Sequence, residues 1–131
     1  MTVQINYKNR DLKKIASNLV LFVGEKFDIA GLNKHISKSE FSYISDLLKT
    51  SDLKKSILSF KINSKKTFFL VPVKKDIKIS EIENLGAQFF SFLNLDMDKD
   101  YVVNSDTIIS NNLNNFIGYF LHGLKLKSYQ F

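Results

Sequence analysis

Asn18–Val23 reads NLVLFV, an apolar run with a single polar member, closed by Gly24. Further along, Thr67–Val73 reads TFFLVPV, a second run of the same kind. Neither alternates between polar and apolar residues, so neither suits a sheet with one wet face. Short continuous runs of this type are expected where a strand is buried on both sides, as in sheets covered by helices. Pro72 falls near the end of the second run, where a missing amide donor costs least.

The segments around these runs are expected to supply the rest of the sheet and its helices. Thr2–Tyr7 (TVQINY) places Val3, Ile5 and Tyr7 on one face at a period of two and reads as a strand. Lys55–Ile62 (KSILSFKI) reads as a strand joined to Thr67–Val73 by a hairpin through Asn63-Ser64-Lys65-Lys66. Tyr101–Val103 is a short strand. Ser37-Lys38-Ser39-Glu40 has the spacing of a capping box, and Phe41, Ile44, Leu47 and Leu48 then share one helical face to about Lys49. Ser80-Glu81-Ile82-Glu83 repeats the motif ahead of Ile82, Leu85, Phe89 and Leu93. The last helix is expected from a cap at Asp106 to about Lys127, through Ile109, Leu113, Phe116, Ile117, Phe120, Leu121 and Leu124. The order β-β-α-β-β-α-β-α predicts an α/β fold, a three-layer sandwich with a mixed β-sheet flanked by helices, in one domain over residues 1–131.

Composition narrows the chemistry. With no cysteine, the chain has no disulfide, thiol nucleophile or thiolate metal site, which fits a cytoplasmic setting. MTVQINYKNR lacks the continuous apolar core of a signal peptide, and no apolar run approaches the ~20 residues that span a bilayer, so no membrane association is expected. The formal charge of +6 comes almost wholly from lysine, because Arg10 is the only arginine. Lysine lacks the planar fork that reads guanine edges. Three lysine faces nevertheless offer phosphate contacts and a nucleic-acid-binding alternative: Lys8/Arg10/Lys13/Lys14, Lys65/Lys66/Lys74/Lys75 and Lys125/Lys127.

Catalytic constellations are scarce. His35 lies in a polar connection and reads as solvated; His122 lies in the last helix with no carboxylate at helical spacing and reads as a structural or surface residue. Asp96, Asp98 and Asp100 resemble the start of a calcium loop, but the sixth and twelfth positions are Tyr101 and Thr107 where an EF-hand needs Gly and Glu. VGEKFDIAG after the first buried run matches neither Gly-rich phosphate motif. The residues offer no catalytic, cofactor-binding or metal-ligating set.

Three stretches together resemble one family. FSYISDLLK (residues 41–49) followed by SDLKK (51–55), then FFLVPVKK (68–75), then GYFLHGLKLKSYQF (118–131) are similar, in that order, to the N-terminal domain of leucyl (cytosol) aminopeptidases. There a helix and turn lead into a strand, a strand ends in a Gly-x-Gly turn, and an exit helix ends in a pattern matched here by Leu121, Tyr129 and Phe131. Pro72 and Val73 replace the glycines of that turn. The resemblance implies a macro-domain-like architecture and a non-catalytic accessory domain. Its partner would be its own C-terminal peptidase domain, in a homo-hexameric enzyme that removes N-terminal amino acids with two divalent metals (Zn or Mn). The family's metal ligands and its N-T-D-A-E-G-R segment belong to that other domain, and no such segment occurs here. On this reading the apolar ending marks the crossing to the second domain, and the chain by itself is not an enzyme. The macro-like architecture also raises nucleotide or ADP-ribose binding, on fold analogy alone.

Overall fold

In a computed structural model the described residues are 18–63, 66–93, 101–104 and 115–128. They show an α/β chain with a mixed four-stranded sheet and three α-helices. The strands are β1 (Asn18–Val23), β2 (Leu58–Asn63), β3 (Lys66–Pro72) and β4 (Tyr101–Asn104), in the order β2-β3-β1-β4. β1 runs parallel to both β3 and β4, and β2 pairs antiparallel with β3. The expected strand Thr2–Tyr7 lies outside the described residues, as does the expected start of the last helix near Asp106.

Both apolar runs sit at the centre of the sheet, each with a strand on either side. All six residues of β1 are buried, so neither face of this strand meets water. One face carries Leu19, Leu21 and Val23, which join Leu58, Phe60, Phe68 and Leu70 in a single apolar cluster. Helix α1 (Lys38–Leu48) brings Ile44 into that cluster, with Phe41, Leu47 and Leu48 packed at its margin. A fully buried side chain of this size contributes about 1.5–3 kcal/mol by leaving water.

The start of α1 is the expected capping box. The Ser37 hydroxyl accepts from the Glu40 amide at 3.2 Å, and Glu40 Oε1 accepts from the Ser37 amide at 3.1 Å. Two of the helix's free donors are thereby satisfied. A second side-chain cap holds the sheet itself: buried Asn18, the first residue of β1, accepts the Thr67 amide of β3 at 3.0 Å through Oδ1.

Helices α2 (Ile79–Leu93) and α3 (Phe116–Ser128) form a second compact unit, separate from the sheet with α1. α2 begins earlier than the Ser80 motif suggests. Ile79 is its first residue, and the Lys78 amide donates to Glu81 Oε1 at 3.2 Å, so the reaching-back glutamate is Glu81 rather than Glu83. The helices meet backbone to backbone. A Cβ at Gly86 would stand 1.9 Å from the Phe120 carbonyl oxygen, and one at Gly123 would stand 1.9 Å from that of Glu83. Phe89 and Phe120 fill the space beside these contacts, with ring centroids 6.0 Å apart. Of the expected stripe on α3, Phe116, Phe120 and Leu124 are buried, while Ile117 and Leu121 are only half-buried.

Candidate functional site

Three places in the described residues bring polar chemistry together. The first is the carboxyl end of β1. In open parallel sheets that edge is where ligands bind when neighbouring connections diverge. β1 lies between β3 and β4 and runs parallel to both, so the three strands present their carboxyl ends on the same edge. The chain leaves β1 through a closed loop: the Gly24 amide donates to the Asp28 carbonyl at 2.9 Å, and the Asp28 amide returns to the Gly24 carbonyl at 3.3 Å. Between them Lys26 and Phe27 have φ of 57° and 60°, a left-handed conformation that side chains with a Cβ resist. Phe27 is held there by burial in the core cluster, while Lys26 is exposed. Glu25 Oε1 accepts the Lys75 amide at 3.2 Å, and Val73 donates its amide to Val23 at 2.8 Å, so the exits of β1 and β3 are tied. The sequence motifs gave no sign of this loop, because no glycine marks its left-handed positions.

The second place is an ion pair inside the sheet unit. Lys66 Nζ lies 3.0 Å from Glu40 Oε2, with side-chain exposures of 9% and 18%. The ammonium also stands 5.1 Å from the centre of the Phe68 ring, within range of a cation–π attraction. Of the expected lysine face at 65/66/74/75, Lys66 is therefore not on the surface. Lys66 shares the core side of β3 with Phe68 and Leu70 and is buried, whereas Lys74 and Lys75 are exposed beyond the strand's other end. The Lys8/Arg10/Lys13/Lys14 face and Lys65 lie outside the described residues.

Burial alone raises the Glu40 carboxyl. The Ser37 amide, the hydrogen bond and charge of Lys66, and the Ser37 hydroxyl together outweigh it and hold the carboxyl below its ordinary value. A carboxylate depressed by folding stabilises the protein above its unfolded pKa and loses that contribution as pH falls through the folded one. Denaturation midpoints should therefore decline as pH drops below about 4. Glu40→Gln should flatten that part of the profile in a urea titration series.

The third place is on the helix pair. His122 Nδ1 is hydrogen-bonded to Glu83 Oε2, with side-chain exposures of 56% and 31%. Beside it, Ser80, Glu83, Ala87, Gly123, Leu126 and Lys127 line a shallow, open groove of about 490 Å³. His122 is thus a surface residue, as expected, but it has a carboxylate partner that helical spacing could not reveal. His35 is half-buried at the end of a short 3-10 turn (Ala30–Lys34), with its amide bonded to Leu32. The Asp96/Asp98/Asp100 cluster and both Tyr129 and Phe131 lie outside the described residues.

Among the described residues no three His, Cys, Asp or Glu side chains are grouped to hold a metal ion, and no helix is long and apolar enough to cross a membrane. No protein-family model, curated protein or solved structure matches the chain.

Proposed function

We propose that the chain is the non-catalytic N-terminal domain of a leucyl aminopeptidase-like enzyme of the cytoplasm. Its role is to pack on a C-terminal dimetal peptidase domain and to contribute to assembly or to access to the active site. The observation that carries this reading is the strand pairing. Residues 58–63 and 66–72 form an antiparallel hairpin whose second strand lies parallel to β1, with α1 leading into the hairpin. That supports the helix, turn and strand order implied by the resemblance of residues 41–55 and 68–75.

The parent enzyme would be a hexamer that removes N-terminal amino acids with water activated by two divalent ions, Zn or Mn. The described residues of this chain do not fit those ions, since no three potential ligands converge. The resemblance assigns the metals to the other domain, and no catalytic step to any residue here. The exit of β3 also departs from the family pattern: Pro72 and Val73 stand in place of glycines, and the Val73 amide is already bonded to Val23. This turn has no role in the proposal.

Purified chain is expected to show no hydrolysis of leucine p-nitroanilide above the buffer blank, with or without added zinc or manganese. Robust metal-dependent turnover that co-elutes with the protein would overturn the assignment. The nucleic-acid alternative makes a different forecast, binding to duplex DNA at ~50 mM salt that falls steeply as salt rises. Lys66 is buried and is not available to such a contact, whereas Lys74 and Lys75 are exposed.

A further inference from the structure

His122 is held by backbone packing as well as by its own hydrogen bond. Its neighbour Gly123 lets α3 approach the Glu83 carbonyl so closely that no side chain would fit between them. Glu83 is thereby placed beside the imidazole, with its Oε2 on Nδ1. A carboxylate at Nδ1 accepts that nitrogen's proton, so the neutral ring keeps its lone pair on Nε2. With 56% of the side chain open to solvent, the ring is accessible to small reagents.

Two further features bear on what such a nitrogen would accept. Lys125 is exposed three residues on, and residues at that spacing are neighbours on a helix surface. The chain carries a formal charge of +6, which favours the approach of anions. A metal is a poorer match, because the carboxylate is already engaged by the ring and no third ligand converges among the described residues.

We propose that His122 Nε2 is a phosphoryl-accepting nucleophile, oriented by Glu83 and charged by donors whose phosphoryl group sits on nitrogen, the phosphoramidates. This goes beyond the accessory-domain reading and does not depend on it. The Nε2 lone pair attacks phosphorus, and an N–P bond forms as the donor's P–N bond breaks. The departing nitrogen keeps the bonding pair and takes a proton from water. Positive charge builds on the ring during attack, and Glu83 stabilises it through the Nδ1 proton, which can then pass to solvent. Lys125 offers its ammonium to the transferred oxygens. His35 has no carboxylate hydrogen bond among the described residues and is the internal control.

The test is incubation of the intact chain with potassium phosphoramidate at neutral pH, followed by intact-mass analysis and peptide mapping under alkaline conditions. His122 should be phosphorylated at least about tenfold faster than His35, and Glu83→Gln should slow it by about tenfold with the circular dichroism unchanged. In the neutral ring, long-range ¹H–¹⁵N spectra of the wild-type chain should show a protonated Nδ1 and a bare Nε2. Equal rates at the two histidines would overturn the proposal, as would wild-type rates in Glu83→Gln or an Nε2-protonated tautomer. If Glu83→Gln disturbs the helices, the wild-type rate ratio and tautomer still decide.

Discussion

Gly123→Ala should lower the thermal midpoint by about 10 °C, the equivalent of roughly 2–3 kcal/mol for a chain of this size. The sign is not obvious in advance. Alanine is the better helix former by about 1 kcal/mol, so in an exposed helix the change would stabilise. Here the new methyl would stand 1.9 Å from the Glu83 carbonyl oxygen and 2.6 Å from its carbon. Backbone atoms within a helix cannot step aside as a side chain can, so α2 and α3 must separate. That separation loosens the Phe89–Phe120 packing and the His122–Glu83 bond together. Gly118→Ala on the same helix is the control. The three atoms nearest its Cβ would all belong to the Asn115 side-chain amide, which can rotate away, so the change should be neutral or stabilising by up to about 1 kcal/mol. Equal effects at positions 118 and 123 would contradict the close backbone contact.

Glu40→Ala should cost about 3 kcal/mol in chemical denaturation near neutral pH, more than Lys66→Met. Removing the carboxylate leaves the Lys66 ammonium with 9% side-chain exposure and no opposite charge, and it also removes half of the α1 capping box. Lys66→Met keeps an unbranched stem over Phe68. It leaves Glu40 hydrogen-bonded to Ser37, so the expected loss is below about 1.5 kcal/mol. The double variant should recover part of the Glu40→Ala loss, because an apolar pair in place of a buried ion pair is often tolerated. A Lys66→Met loss as large as that of Glu40→Ala would show that the pair is not arranged as described.

These two sites also mark how far the amino-acid order could be read. The Ser37–Glu40 box and the Phe41–Leu48 stripe were legible because both partners lie within one turn. The central strands were legible because NLVLFV and TFFLVPV carry no wet face. Near Ser80 the same reasoning pointed to Ser80 with Glu83, whereas the structure pairs the Lys78 amide with Glu81. Glu83 bonds His122 instead. Nothing within a helical turn of either residue predicts a partner 39 positions away. Lys66 was readable in principle, since its period-two alignment with Phe68 and Leu70 places it on the core face. Its charge and its lysine neighbours pointed to the surface instead. The left-handed pair at Lys26 and Phe27 was not readable, because neither residue type favours that conformation and only burial of Phe27 explains it.

The central claim is that this domain belongs to a larger dimetal aminopeptidase. It is tested most directly by sequencing the source reading frame past codon 131. The account predicts an in-frame continuation that encodes a second domain with an N-T-D-A-E-G-R-like segment. A stop codon immediately after Phe131 would contradict it, as would a continuation encoding a domain without metal-ligating carboxylates.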